Sequence, residues 1–278
     1  MPQTETIIDL IKKQLKKDDS LPVLSPQSIE IQNEATKEKM DFNRLTRLVR
    51  QDITLTGQIL KKANSPFYKG LGEVETLKDA VLRLGQQEMV NIIMQELHKK
   101  NFKSDLPLIR SYQTRLWNHS VACALGSLWL IRHLSLTELL PRAFISGLLH
   151  DMGQLYLLTA IEKLLMSSTE TFKPPPQLIE KIVDNLHTAL GYNLLTKWNL
   201  PEAYRIIARD HHREDFDTAD TMLVIVRLSD AVSHKMERND PKENLSEIAS
   251  SVEADVLGIS EIGLAELEIA LEDAKAIA

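Results

Sequence analysis

Apolar residues recur at spacings of three and four along almost the whole chain, and this pattern restricts the fold more than any other feature. Such spacing matches one face of an α-helix, whereas half-buried strands alternate apolar and polar residues. Strand-type alternation of Val, Ile and Thr is hard to find, and the 10 glycines and 11 prolines fall where helices are expected to stop. The sequence therefore predicts an all-α fold.

Breaks in the helical pattern divide the chain into parts. Residues 1–20 contain an amphipathic helix that precedes the SLPVLSP segment. The segment KNFKSDLP then separates a helical subdomain at 21–106 from a bundle that begins at 107 and continues to 236. Residues 237–278 are expected to form C-terminal helices, two in number. The chain is thus predicted to fold as two packed helical subdomains followed by a helical extension.

The second subdomain is predicted to contain longer and more apolar helices than the first. The helix that carries His150 is expected to end at Gly153, with Gly as the residue after the helix terminus. The predicted helices of this subdomain span 108–133, 137–150, 176–187, 188–198, 201–212 and 220–236.

Composition excludes several classes of protein. The 278 residues are 43% apolar and carry a net charge of -6 with a pI near 5.8, so no concentrated basic surface is expected and DNA is not an expected partner. The one cysteine, Cys123, lies in an apolar stretch and is expected to be a buried thiol in a reducing compartment. Neither a membrane span nor a signal peptide is evident, which predicts a cytoplasmic protein.

Polar residues set inside apolar helices mark the second subdomain. In SGLLHDMGQLYL (146–157), His150 and Asp151 interrupt an apolar run, and their burial costs several kcal/mol unless they are paired. Imidazole and carboxylate groups are ligands suited to Fe, Mn, Zn or Ni, and a helical bundle can bring them to one point. The residues of this kind are His119, His150, Asp151, His187, His211, His212 and Asp230. They predict a site for one or two divalent metals, with a bridging aspartate if there are two.

Several of these positions also have an ordinary structural explanation. His119 fits a hydrogen-bonded core histidine, and His211 and His212 fit solvated side chains at a helix end, where the dipole favours them. Asp230 fits an i,i+4 pair with His234. Gly191, one turn after His187, allows a helix or an ion to approach closely. The alternatives are correlated, because a metal that binds at all recruits most of the set.

The order of these residues resembles a known superfamily. A His, then His-Asp, then His, then His-His, then Asp is similar to the HD superfamily of metal-dependent phosphohydrolases, particularly the branch that hydrolyses cyclic dinucleotides. The first half resembles the opening of HDOD domains at Gln51-Asp52, at Ala63-Asn64-Ser65 with Tyr68, and at Ala80 with Leu84-Gly85. The likeness covers residues 21–216, and the chain is identified as a member of the HDOD family.

This resemblance implies a helical bacterial module used in signalling, which acts by binding a protein partner or a nucleotide and whose metal site is either structural or vestigial. Many such modules lack the metal ligands of their hydrolase relatives, whereas this chain keeps all seven positions. The alternative is a working phosphohydrolase, in which Asp151 bridges the ions and His211 or His212 donates a proton. The terminal helices (GLAELEIALEDA) are suited either to homodimer formation or to packing on the parent domain.

Three departures from the hydrolase pattern favour the regulatory interpretation. Gln154 replaces the lysine of His-Asp-x-Gly-Lys, so a cation that would neutralise a substrate phosphate is missing. Arg115 stands one turn before His119, where dinucleotide-cleaving relatives can carry a glutamate. The Gly-Tyr-Pro element expected after the His-His pair is replaced by REDFDTAD. Arg115 and Gln154 remain candidates for phosphate contacts.

Overall fold

A computed structural model describes residues 7–17, 24–68, 70, 72–167, 174–238 and 244–277. Within these ranges the regular structure consists of fifteen α-helices and one 3₁₀ turn, and no strand is present. The prediction of an all-α fold with two packed helical subdomains is confirmed.

The first subdomain consists of short helices with well-defined ends. The side chains of Asp41, Asp52 and Thr76 each accept a backbone N–H from three residues further on, which satisfies a donor that has no partner inside the helix. Gly85, at φ +79°, separates two consecutive helices. The helices are α1 (Ile7–Lys17), α2 (Pro26–Ala35), α3 (Phe42–Arg50), α4 (Ile53–Ala63), α5 (Leu77–Leu84) and α6 (Gln86–Lys99).

The second subdomain is built around one long helix, α7, which packs against α8, α9, α12 and the C-terminal helix. A 3₁₀ turn at Thr137–Leu139 leads from α7 into α8. The helices are α7 (Pro107–His133), α8 (Leu140–Leu149), α9 (Met152–Ser167), α10 (Pro176–Lys197), α11 (Glu202–Asp210) and α12 (Thr221–Arg238).

Three helices complete the described chain: α13 (Leu245–Ala249), α14 (Val252–Leu257) and α15 (Glu261–Ile277). They pack on α12, and α15 also packs on α7, so this extension covers the parent domain. Homodimer formation stays a prediction.

Two apolar clusters form the core. The larger extends from Ile11 in α1 to Ala208 in α11 and is continuous across the predicted boundary between the subdomains. The smaller joins α7 and α12 to the C-terminal helices, for example through Leu130, Ile225 and Leu267. Groups that lie between α12 and α8–α11 are therefore positioned by both clusters.

Several predicted boundaries in the second subdomain are wrong. Residues 176–187 and 188–198 form one helix, α10, because Gly191 lies at a helix crossing and does not interrupt the backbone. The helix expected over 137–150 begins as a 3₁₀ turn, and α8 ends at Leu149. Gly153 falls in the first turn of α9. The apolar pattern did not predict this helix, because α9 is buried on several sides and shows little periodicity. The C-terminal helices of the described residues number three, because the chain breaks at Ser250-Ser251 between α13 and α14 and again at Gly258, which adopts φ +64°, between α14 and α15.

Among the helices of the described ranges, none combines the length with the apolar character needed to cross a bilayer.

Candidate metal centre

The seven candidate ligands meet in the second subdomain. Six of them are buried, and His212 is exposed. They are His119 in α7, His150 and Asp151 in the turn between α8 and α9, His187 in α10, His211 and His212 directly after α11, and Asp230 in α12. The structure thus brings together residues that are up to 111 positions apart in the chain, from His119 to Asp230.

Two close helix crossings place these side chains. A Cβ on Gly147 would lie 2.6 Å from the Ala124 Cα, so α8 crosses the backbone of α7 directly below His150. A Cβ on Gly153 would lie 1.9 Å from the backbone oxygen of His187, so α9 contacts α10 at the ligand itself. Larger residues at positions 147 and 153 would separate the helices and the imidazoles that they carry.

The turn between α8 and α9 explains why two adjacent polar residues reach the same point. His150 is the C-terminal cap of α8, and Asp151 precedes the first residue of α9. Within a regular helix, consecutive side chains diverge by about 100°. The change of direction between the two helices instead turns both side chains into the space between α7, α10 and α12.

Asp151 lies between two pairs of histidines. Its Oδ2 is 3.4 Å from His150 Nε2 and 3.7 Å from His119 Nε2. Its Oδ1 is 3.4 Å from His187 Nε2 and 3.3 Å from His211 Nε2. Each carboxylate oxygen therefore faces a different pair of imidazole nitrogens, which is the arrangement expected of a carboxylate that bridges two cations.

Asp230 adds a second carboxylate on the His119 side. Its Oδ1 lies 2.9 Å from His119 Nε2 and 3.5 Å from His150 Nε2, while Oδ2 lies 3.8 Å from His212 Nδ1. Four groups of possible ligands result among the described residues, and two of them together contain the seven candidates. One contains His119, His150 and Asp230, and the other contains Asp151, His187, His211 and His212.

Hydrogen bonds on the outer side of the imidazoles fix their orientation. Three Nδ1 atoms lie 2.7 to 3.1 Å from backbone carbonyl oxygens, to which they donate: His150 to Gly147, His187 to Asp184, and His211 to Ile207. A histidine that donates Nδ1–H in this way presents the lone pair of Nε2 on its opposite side. Metal-binding histidines typically carry such a partner on the outer nitrogen.

His119 has a carboxylate in the same outer position. Its Nδ1 donates to Glu237 Oε1 at 3.2 Å, and both residues contribute to the same side of the site. This carboxylate–imidazole contact fixes the ring of His119 and directs its Nε2 toward Asp230.

The inner nitrogens approach one another in pairs. His119 Nε2 lies 3.3 Å from His150 Nε2, and His187 Nε2 lies 3.3 Å from His211 Nε2. Where Nδ1 carries the proton on both rings, two lone pairs face each other across this gap. Asp151 Oδ1 and Asp230 Oδ1 are buried beside these imidazole nitrogens, with His119 Nε2 2.9 Å from Asp230 Oδ1 and His211 Nε2 3.3 Å from Asp151 Oδ1. Divalent cations would satisfy these nitrogens and oxygens together, so the residues present fit a metal centre.

The charged groups of the site stabilise one another strongly. Burial alone would raise the pKa of Asp151, but His150 and His211 outweigh it and hold that pKa well below its usual range. Burial acts to lower the pKa of His119, but Asp230 and Glu237 raise it to about 10. Burial and the neighbouring His211 lower the pKa of His212 to about 4. A metal that binds must therefore displace a proton from His119, while His212 is already neutral at pH 7.

The site contains two further residues, which the sequence analysis did not assign to it. His234 Nε2 lies 3.3 Å from Asp230 Oδ1, and Glu237 holds His119 as described above. The sequence offered a signal, because Asp230, His234 and Glu237 are spaced i, i+4 and i+7 and so share one face of α12. His234 was weighed only as a surface partner of Asp230, and Glu237 was missed because nothing in the chain near it indicates a distant histidine.

A cleft of about 400 Å³ opens beside the His119 side of the centre, and His119, His234 and Gln154 line it. Gln154 donates its Nε2–H to Asp151 Oδ2 at 2.6 Å, so it orients the bridging carboxylate. Arg115 lines the same cleft, 63% exposed, with its guanidinium 3.6 Å from Glu180 and over the ring of Tyr112. Arg115 thus supplies a positive charge to the cleft in which Gln154 replaces the lysine of His-Asp-x-Gly-Lys.

A second opening, of about 380 Å³, exposes the other side of the centre at His211, His212 and Asp230. Arg227 lines it and donates to the backbone oxygens of Asp210, His211 and Arg213, which holds the turn after α11. Glu253 of α14 accepts from Arg227 Nε at 2.6 Å. The C-terminal helices therefore contact the ligand turn through one arginine.

Structural neighbours share this architecture. An HDOD domain protein with unknown function from Geobacter sulfurreducens aligns over 97% of this chain and 96% of its own, with a TM-score of 0.71 and 19% identity. A protein described as "Putative phosphohydrolase" from Shewanella amazonensis SB2B aligns over 97% and 98%, with a TM-score of 0.65 and 18% identity. At these identities the likeness establishes the fold alone.

Sequence comparison agrees. An uncharacterised protein from Treponema pallidum (strain Nichols) is 26% identical over 198 residues, which are 70% of this chain and 38% of that protein. The chain therefore spans well under half the length of this relative. The HDOD domain description matches residues 21–214, close to the 21–216 expected from the sequence motifs. The chain belongs to the HDOD domain family.

Proposed function

We propose that this HDOD domain is a regulatory module that binds one or two divalent metals and, in the metal-bound form, recognises a protein or nucleotide partner. The single observation that supports this proposal is the position of Asp151, whose two oxygens face two different histidine pairs at 3.3 to 3.7 Å. A hydrogen-bonded core aspartate needs no such symmetry.

The two ligand sets would hold the ions through imidazole nitrogen and carboxylate oxygen, a combination suited to Fe, Mn, Zn or Ni. His119, His150 and Asp230 form one set, and His187, His211 and His212 form the other. Asp151 contributes to both. We assign the orientation of these ligands to the outer hydrogen bonds of the imidazoles and to Gln154.

The arrangement favours regulation because the ligands come from helices of both apolar clusters. Asp230 lies on α12, which belongs to the smaller apolar cluster, whereas His150 and His187 lie on helices of the larger one. Bound metal would link these clusters and stabilise one packing of α12 against α8–α11. A partner that contacts α12 or the C-terminal helices would then respond to metal occupancy.

Elemental analysis of purified protein tests the metal site. We expect one or two equivalents of metal in the native chain and less than about one tenth of that in Asp151→Asn, because that carboxylate serves both sets. His133→Gln is the matched control, since His133 stacks on Trp129 at the far end of α7. This variant should retain as much metal as the native chain.

Hydrogen exchange tests the regulatory part. Metal should slow exchange in α12 and in the α8–α9 turn of the native chain but not of Asp151→Asn. Native protein that stays metal-free in the presence of excess metal would refute the proposal. Identical exchange with and without metal would also refute it.

Phosphoester hydrolysis is a second candidate, and the cleft on the His119 side favours it. Arg115 lines that cleft and would hold a phosphate group. His212, which the sequence offered as a proton donor, lies at the other opening and is neutral at pH 7, so it would accept a proton there. When bound, the metals would supply Lewis-acid polarisation and an acidified water. The uncharged Gln154, which binds Asp151, supplies no positive charge to a substrate.

Turnover assays on cyclic dinucleotides and on simple phosphodiesters distinguish the two candidates. We expect no turnover by the metal-loaded native chain and measurable turnover by Gln154→Lys. Turnover by the native chain that disappears in Arg115→Ala would establish the hydrolase instead.

A further inference from the structure

A third cavity, of about 660 Å³, lies between the two subdomains and the C-terminal helix. Lys62 of α4 and Lys99 of α6 contribute from the first subdomain, Arg115 and Trp117 from α7, and Leu271 from α15. We call it the α15 cleft. Its volume lies within the range of small-molecule sites, roughly 300 to 1,000 Å³.

Positive charge surrounds the α15 cleft. Lys62, Lys99 and Arg115 line it, against the single acidic residue Glu237, whose carboxylate already accepts from His119. In the part of the chain that the structure describes, neither lysine ammonium group makes a hydrogen bond or ion pair. On a chain of net charge -6, these two lysines, beside an arginine that also lies 3.6 Å from Glu180, indicate an anionic ligand of more than one charge.

The walls of the α15 cleft combine an aromatic face with free amides. Trp117 and Leu125 of α7 and Leu271 of α15 form the apolar part. Gln95 and Asn118 line it as well, and their side-chain amides make no hydrogen bond to the other described residues. An aromatic ring binds the face of a base, and amides pair with its edge. A fatty acid would use the apolar wall but would leave the amides and two of the cations without partners.

We propose that the α15 cleft binds a nucleotide, with its phosphates on Lys62, Lys99 and Arg115 and its base beside Trp117. This deepens the proposed regulatory function by naming the nucleotide site, and it places that site outside the metal centre. The α15 cleft shares Arg115 and Glu237 with the cleft on the His119 side of the metal centre, so the two clefts are adjacent. Lys62 and Lys99 line the α15 cleft and not the other, so mutation of these lysines separates the two sites.

Calorimetric titration of the full chain with GTP and with ATP tests the proposal. We expect one nucleotide to bind per chain, and the double variant Lys62→Ala/Lys99→Ala to weaken binding at least tenfold. The matched control Lys61→Ala/Lys103→Ala removes two exposed lysines outside the cleft and should bind as the native chain does. Trp117→Leu should weaken the binding of GTP but leave the binding of inorganic pyrophosphate unchanged.

Three results would overturn the inference: no heat with either nucleotide at millimolar concentration, equal weakening in both double variants, or binding of laurate in place of nucleotide. Nucleotide binding that disappears on chelation and returns with added Mn²⁺ would place the ligand on the metal centre and would also overturn it. The metal content of each variant separates the two proposals, because Lys62 and Lys99 contact no candidate metal ligand and their loss should leave it unchanged.

Discussion

The two subdomains bury histidine in opposite ways. In the second subdomain, the imidazoles of His119, His150, His187 and His211 are surrounded by carboxylates and by carbonyl oxygens that fix their orientation. In the first, His98 of α6 is completely buried beside Trp198, and neither of its ring nitrogens has a hydrogen-bond partner among the residues that the structure describes.

The difference shows in the protonation of the two regions. Burial, assisted by the charge of Lys100, lowers the pKa of His98 to about 3, so this histidine is a neutral part of the core. The pKa of His150 is raised well above its usual value, because Cys123, Asp151 and Asp230 outweigh the burial that would lower it. Burial alone therefore does not indicate a functional histidine, whereas burial among carboxylates does.

The largest expected effect concerns the helix crossing that only the second subdomain needs. In Gly153→Ala, the new Cβ would lie 1.9 Å from the backbone oxygen of His187, so α9 and α10 must separate. We expect a loss of about 3 kcal/mol or more in the free energy of unfolding, measured in urea, together with loss of bound metal.

A glycine in the first subdomain supplies the control. Gly57 lies inside α4 with nothing within 4 Å of the position of a Cβ, so Gly57→Ala should raise stability by about 0.5 to 1 kcal/mol. Equal effects of the two substitutions would mean that the α9–α10 contact does not position His187.

Metal removal should come next in size. A ligand that binds only the folded state, at 100 times its Kd, stabilises it by about 2.7 kcal/mol, so chelation should lower the free energy of unfolding of the native chain by about that amount. His98→Leu should keep this metal-dependent gain, and Asp151→Asn should lose it. A gain that persists in Asp151→Asn would locate the metal elsewhere.

Acidification should remove the contribution that neutral His98 makes to the free energy of unfolding. Its folded pKa is about 3 and its unfolded value about 6.5, so as the pH falls below 6.5 the unfolded chain takes up the proton first. The contribution of neutral His98 is thus fully present above about pH 6.5 and decreases toward pH 3. By pH 5 it should amount to a loss of about 2 kcal/mol, which His98→Leu should not show. Unfolding midpoints at pH 7 and pH 5 measure the difference; equal acid losses in both chains would refute it.

The smallest expected effect concerns the link from the C-terminal helices to the ligand turn. Glu253→Gln removes the charge that pairs with Arg227 and should cost about 1 kcal/mol while weakening metal binding a few-fold. Glu268→Gln is the matched control, because Glu268 pairs with Lys235 on the same helix but away from the ligand turn. Metal titration should separate the two variants, and equal metal affinities would show that Arg227 holds the turn unaided.

Much of this molecule follows from local pattern. The spacing of apolar residues predicts the helices of the first subdomain, and Thr76 and Gly85 lie at the helix ends that their chemistry predicts. The order of histidines and aspartates predicts the seven candidate ligands. The pattern failed at α9 and α10, where burial on several sides hides the helical period and Gly153 and Gly191 serve a crossing.

The sequence by itself determined the residue types available for a metal centre and, among the helices that carry them, α7, α11 and α12, because these depend on neighbours within a few turns. Only the tertiary structure decided that Asp151 faces two histidine pairs and that Glu237 holds His119. These contacts join residues up to 118 positions apart, and their geometry is set by how closely helices cross, which depends on packing and not on local spacing.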